Sequence, residues 1–242
     1  MLKDVNKIYF IGIGGSGMSG LAQVYSQLGY QVSGSDISSN EMTQKLSQLG
    51  VKIFLGHDAN HVGDVDLIIV SSAISTTNPE LLEAQIKKIP VWHRSELLMD
   101  LMSTRDVIAV AGTHGKTTTS SIVFSMLLSA GVQPTAIIGG KIKEISSGAA
   151  LGEGPWLVAE ADESDKSFLQ YTPRIAVINN IEADHLEHYD GKIENIIQAF
   201  KEFINQVPEN GWAIFGIDDK NTYDLQKEYK KRKLTFGFHT EA

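Results

Sequence analysis

The stretch Gly112-Thr113-His114-Gly115-Lys116-Thr117, followed by Thr118, has the residue types that cradle a nucleoside triphosphate. Small residues let backbone N–H groups turn inward, a lysine bridges the β- and γ-phosphates, and a hydroxyl beside it reaches Mg2+. The strict pattern G-x-x-x-x-G-K-[ST] asks for glycine at position 110, where this chain has Val110. Gly112 and Gly115 still keep the turn flexible, and the surrounding sequence reads as strand, loop and helix. ATP or GTP is the expected ligand.

Acids follow this loop. In "WLVAEADESDKSFL" Glu160 ends a strand expected to run parallel to the loop's own strand, where a carboxylate can hold the nucleotide's Mg2+ beside Thr117. Asp162, Glu163 and Asp165 crowd the same turn and read as solvated loop acids. The segment "VINNIEADHLEHYDG" sets Asn179, Asn180, Asp184 and His185 at the C-terminal edge of a further strand. Hard oxygens and one imidazole suit Mg2+ with retained waters. A zinc cage from His185 and His188 lacks a cysteine and a third histidine.

A second glycine turn lies earlier. Gly12-Ile13-Gly14-Gly15-Ser16-Gly17 satisfies G-x-G-x-x-G, follows a strand and opens a helix, and Asp36 lies 19 residues past Gly17. Such a turn offers N–H groups and a helix N-terminus to a diphosphate, with the acid available to a ribose. NAD and a nucleotide sugar both carry those groups, and the fingerprint does not separate them. His57 and the pair Ser71-Ser72 fall in loops after successive strands, the edge where open α/β sheets collect ligands. Taken singly, such a histidine is more often a surface or core residue, and two serines ending a strand are more often turn formers.

The elements that must position these residues alternate along the chain. Short apolar runs at 8–13, 31–34, 51–54 and 66–70 are separated by helical stretches at 18–28 and 41–49, which implies right-handed βαβ units and a parallel sheet. The alternation restarts at Val107, with later strands at 156–160, 175–179, 212–215 and 234–238. Helix 193–206 carries Ile193, Ile196, Ile197, Phe200, Phe203 and Ile204 at helical spacing, a core-facing stripe. The basic stretch "KEYKKRK" at 227–233 reads as a solvated helix face. The expected class is therefore α/β: a Rossmann-like parallel-sheet domain over 1–104, then a P-loop-type parallel α/β domain over 105–242.

Composition narrows the class further. The 242 residues are 42% hydrophobic with 22 glycines, as in globular α/β chains. A net charge of −8 argues against a general nucleic-acid binder. The absence of cysteine excludes disulfides and thiolate chemistry. The N-terminus does not read as a signal peptide, and no apolar run approaches the roughly 20 residues that span a bilayer, so a cytoplasmic protein is expected.

Taken in order, "FIGIGGSGMSGLA", "VSGSD", "SSAI", "HRSELL", "AGTHGKTTT", "EADESDKSFL" and "NNIEADHLEHYDG" resemble the Mur ligases, ATP-dependent amide-forming enzymes of peptidoglycan precursor synthesis. The resemblance implies that Gly14, Gly15, Ser16 and Gly17 lie near the diphosphate of UDP-N-acetylmuramate, with Asp36, His57, Ser71 and Ser72 around the uridine. It implies ATP on Gly112–Thr118, with Lys116 at the β- and γ-phosphates. Thr117 and Glu160 then hold one Mg2+, and Glu160 with His185 a second; Lys116, Glu160 and His185 form the catalytic set. L-alanine is the expected amine, joined to the lactyl carboxylate through an acyl phosphate. Second in rank is the relative that attaches a recycled tripeptide to the same nucleotide sugar. A NAD(P)-dependent oxidoreductase explains Gly12–Asp36 but leaves Lys116, Thr117 and Glu160 without a role. Members of the family continue into a third, amino-acid-binding domain, whereas this sequence stops at "FGFHTEA". The expectation is a fragment that binds the UDP-sugar and ligates poorly.

Overall fold

Parallel strands buried on both faces need continuous apolar runs, and the sequence supplies them at "KIYFI", "LIIV" and "VIAVA". The structure, a computed structural model, describes residues 2–142, 145, 147–164, 166–184 and 186–238, with Lys141 described in its backbone alone. Contacts divide the chain into two units, Met1–Thr104 with Gly139–Leu151, and Arg105–Ile138 with Gly152–Ala242.

In the first unit the order is β1 (Lys7–Ile11), α1 (Ser16–Gln27), β2 (Gln31–Asp36), α2 (Glu41–Gln48), β3 (Lys52–Leu55), β4 (Leu67–Val70), α3 (Pro79–Lys87), β5 (Val91–His93) and α4 (Arg94–Met102). The five strands form one parallel sheet in the order β3-β2-β1-β4-β5. Strand order reverses beside β1, which opens a crevice at the C-terminal ends of β1 and β4. Tyr9, Ile11, Ile68 and Ala84 pack into one core cluster under that edge.

The second unit is built on β6 (Asp106–Ala111) and α5 (Lys116–Ser129). Along the chain there follow β7 (Thr135–Ile142), which begins in the second unit and ends in the first, β8 (Ser147–Ala150), which belongs to the first, and then, again in the second, β9 (Trp156–Glu160), β10 (Ile175–Ile178), α6 (Ile193–Asn205), β11 (Trp212–Gly216), α7 (Lys220–Glu228) and β12 (Lys233–Phe236). The second sheet has the strand order β12-β11-β10-β6-β9-β7-β8, with β6 flanked in parallel by β10 and β9. Of the expected stripe on α6, Ile196, Phe200, Phe203 and Ile204 are buried, joined by Ala199.

Three differences from the sequence expectations have physical causes. The stretch at 135–150, whose pattern implies no element, forms β7 and β8, and residues 139–151 group with the first unit instead of continuing the second. There Gln23 on α1 donates to the Ala149 carbonyl at 2.9 Å and accepts from the Ser147 hydroxyl at 3.0 Å. The basic stretch is mostly not helical, because α7 ends at Glu228. Lys231 and Lys233 instead donate to the carbonyls of Val207 and Tyr229 among others. Last, β6 runs through Val110 to Ala111, pairing Val110 with Glu160 and Val177. Position 110 is therefore buried strand, and the turn that a glycine there would begin starts instead at Gly112.

Candidate functional site

Both glycine turns lead into helices that begin without a side-chain cap. Gly15 precedes α1 and Gly115 precedes α5, and neither helix end receives a side-chain hydrogen bond. Of the other helices, α2, α3, α4 and α7 are capped by Asn40, Asn78, His93 and Asp219, while α6, after Lys192, also lacks a side-chain cap. An uncapped N-terminus keeps its first N–H groups and its partial positive charge available to an anion.

At the first turn, the Gly12 and Ile13 N–H groups donate to the Ser35 carbonyl at 2.8 and 2.9 Å, tying the loop to β2. Asp36 is buried, accepting from Gly14 N–H at 2.8 Å and Ser38 N–H at 3.2 Å. Its carboxylate braces the turn as well as facing the strand edge. Side chains crowd Gly14 closely: a Cβ there would stand 2.8–2.9 Å from Asn40, Thr43 and Asp36. Ser71 and Ser72 follow β4 at the same sheet edge, where the Ser71 carbonyl accepts from Ile74 N–H at 3.1 Å. His57 lies beyond β3 with Nδ1 2.8 Å from Glu80 Oε2. A cleft of about 440 Å3 opens between the β2–α2 turn, α2 and β3, lined by Ser38, Ser39, Thr43, Ser47, Phe54 and Leu55 among others.

One basic residue at this edge escaped the sequence reading. Arg94 opens α4, and a Cβ on Gly17 would lie 2.9 Å from its Nη1. A guanidinium therefore stands against the first turn of α1, where a diphosphate needs countercharge. The signal was the Arg94 of "HRSELL", just after a strand; what hid it is the distance of 77 positions from Gly17.

At the second turn, Gly115 has φ of 79°, a left-handed conformation that a side chain resists, and it delivers Lys116 to the start of α5. The loop is laced to the segment after β10. His114 N–H donates to Asn180 Oδ1 at 2.8 Å, the Asn179 and Asn180 amides donate to the His114 carbonyl at 3.1 and 3.2 Å, and Thr113 Oγ1 accepts from Glu182 N–H at 2.9 Å. Lys116 Nζ donates to the Gly112 carbonyl at 2.8 Å and lies 2.9 Å from both oxygens of Glu163.

Glu163 corrects an expectation: it is 2% exposed, not a solvated loop acid. Burial pushes its carboxyl above the usual value, and the Lys116 ammonium holds it back. Asp162 is partly buried and accepts from Ser164 N–H at 3.1 Å; Asp165 lies outside the described residues.

Glu160 ends β9 beside the loop strand, and its Oε1 is buried with no hydrogen-bond partner among the described residues. An orphaned anionic oxygen costs free energy unless a cation meets it, so Glu160, with Thr117 on the first turn of α5, fits a hard divalent ion. Among the described residues no group of three or more His, Cys, Asp and Glu could hold a metal. The third expected ligand, His185, lies outside the described residues.

Comparison with known proteins adds a separate line of support. Residues 7–106 match the family model "Mur ligase family, catalytic domain" and residues 110–242 the "Mur ligase middle domain". The chain is 49% identical over 242 residues to a UDP-N-acetylmuramate–L-alanine ligase of Pelobacter propionicus, and 46% identical to one of Aquifex aeolicus. It spans about half the length of these curated relatives, 53% of each. A crystal structure of UDP-N-acetylmuramate-alanine ligase from Thermotoga maritima superposes with a TM-score of 0.88 at 32% identity, covering 97% of this chain and 53% of that one. The ligase for L-alanyl-γ-D-glutamyl-meso-diaminopimelate from Neisseria gives 0.86 at 28% identity, covering 98% of this chain and 79% of that one. With both halves matched in order, the chain belongs to the Mur ligase family.

Proposed function

We propose that this chain carries the UDP-sugar-binding and ATP-binding parts of a ligase that joins L-alanine to the lactyl carboxylate of UDP-N-acetylmuramate, in peptidoglycan precursor synthesis. The observation that carries the reading is the presence of two uncapped, glycine-led helix N-termini in one chain, with a lysine on the second. Two nucleotides need two cradles. Relatives named for the L-alanine reaction at 46–49% identity favour it over the tripeptide-recycling activity, whose structural relative is 28% identical. An oxidoreductase reading leaves Lys116 and Glu160 idle.

A free carboxylate is a poor electrophile, so it must be activated before an amine can attack. The lactyl carboxylate attacks the γ-phosphorus of ATP, and ADP leaves to give an acyl phosphate. The L-alanine amine then adds to the carbonyl, loses a proton, and the tetrahedral intermediate expels phosphate. The protein's part is positioning and charge compensation. Gly14, Gly15, Ser16 and Gly17 with Arg94 hold the sugar nucleotide's diphosphate, while Asp36, His57, Ser71 and Ser72 surround its uridine. Gly112–Thr118 wrap the triphosphate, and Lys116 exchanges Glu163 for the β- and γ-phosphates. Thr117 and Glu160 would hold Mg2+, with His185 as the expected ligand of a second ion. Bound there, Mg2+ supplies neutralising charge where two anions must meet.

Thermal melting with single ligands tests this. UDP-N-acetylmuramate and Mg-ATP should each raise the melting temperature, by about 2.7 kcal/mol of stabilisation at a hundredfold excess over Kd. Lys116→Ala should abolish the ATP response and keep the sugar response. A shift with NAD and none with UDP-N-acetylmuramate would overturn the proposal.

A further inference from the structure

The first unit contains a buried acid that no nucleotide-binding role has yet used. Glu80 lies in the first turn of α3 and is 0% exposed. Its Oε1 accepts from the Tyr9 hydroxyl at 2.7 Å and lies 3.1 Å from His61 Nδ1. Its Oε2 accepts from the Ser35 hydroxyl at 2.6 Å and lies 2.8 Å from His57 Nδ1. An ionised carboxylate is an acceptor alone, with about four lone-pair sites. Four neighbours meet those sites here, two on each oxygen.

That count fixes the protons. Burial holds the Tyr9 phenol well above its ordinary range, so it stays protonated and donates. Ser35 has one proton and gives it to Glu80, which leaves its oxygen as an acceptor 3.0 Å from His57 Nδ1. Both imidazoles must then carry hydrogen on Nδ1, because a lone pair there would face an oxygen lone pair. The ring nitrogen left over is set by the bond the other nitrogen makes. The His61 ring is stacked on Phe54 at 4.5 Å. His57 turns Nδ1 toward the buried Glu80, and its side chain keeps 18% of its surface exposed.

We propose that Glu80 is a positioning residue for nucleoside recognition: by accepting Nδ1–H of His57, it leaves the Nε2 lone pair as an acceptor for an N–H or O–H donor of the uridine. This rests on reading the first unit as a UDP-sugar site. The carboxylate acts through the ring, as a carboxylate behind a metal-bound histidine does, where loss of that outer partner costs 10–100-fold. Glu80 reaches both the glycine-turn strand through Tyr9 and the second strand through Ser35, so the ring is referenced to the same two strands that frame the first turn.

The test uses the chain as it is. Imidazole 15N spectra at pH 8 should show His57 protonated on Nδ1, with the Nε2 resonance shifting when UDP is added. Glu80→Gln should weaken UDP binding about tenfold while leaving pyrophosphate affinity unchanged, and should move the His57 tautomer. Should that variant not fold, His57→Phe keeps the ring shape without the acceptor and should show the same selective loss. A wild-type His57 unprotonated on Nδ1, or a loss that is equal for UDP and pyrophosphate, would overturn the proposal. So would UDP binding that ignores both substitutions, which leaves the UDP-sugar reading standing. A wild-type chain that binds no UDP would overturn both.

Discussion

Lys116 and Glu163 show how a single pair couples the phosphate-type loop to pH. The carboxyl is raised chiefly by burial and lowered by the ammonium 2.9 Å away. A carboxyl raised on folding binds its proton more tightly in the folded chain, so its contribution is full below the ordinary carboxylate value and fades as pH rises through the raised one. Removing the ammonium leaves burial unopposed. Lys116→Met should therefore cost little stability at pH 5 and about 3 kcal/mol at pH 8, where an unpaired buried charge must be held. Urea denaturation at the two pH values measures this. An equal cost at both would mean that Glu163 does not face Lys116 as an anion. Glu163 was hidden in the sequence by its neighbours: four acids fall within 160–165, and nothing in their spacing says which one turns inward.

At the scale of elements, the first turn depends on close approach more than on unusual dihedrals. Gly14 has no left-handed φ, yet a methyl there would press on Asn40, the cap of α2, and on Asp36, which holds the Gly14 N–H. Gly14→Ala should cost about 1–3 kcal/mol, the range for overpacking, and weaken UDP-N-acetylmuramate without touching ATP binding. Calorimetric titration with each ligand separates the two effects; equal loss for both would argue that the turn is merely structural. The strand–turn–helix order of both loops was legible, because apolar runs and glycines are local signals. The exact ends differ by at most two residues, as in β1, where the apolar run spans 8–13 and the strand Lys7–Ile11.

Over the whole molecule, the compact units are not contiguous in sequence. Residues 139–151 belong with 1–104, and Gln23 bonds to both Ser147 and Ala149 of β8. A fragment ending at residue 104 should lose this cover. Amide exchange in α1 should then be faster in the fragment than in the full chain, by an amount reflecting about 1–2 kcal/mol of lost local protection from two hydrogen bonds. Unchanged exchange would show that 139–151 adds nothing to the first unit. No signal announced this excursion, because it is made by tertiary contacts of a glycine- and serine-rich stretch with no helical or alternating apolar pattern.

By itself the sequence determined the alternating α/β order, the two glycine turns, Lys116 and the end-of-strand acid Glu160, since each rests on neighbours within a few positions. Only the tertiary structure decided which distant groups share a site. Glu80 meets Tyr9 across 71 positions, Lys116 meets Glu163 across 47, and Arg94 reaches Gly17 from another strand end. A parallel sheet aligns the C-terminal ends of strands that are far apart in the chain, so the side chains that meet there are chosen by strand order and register, which one-dimensional spacing does not record.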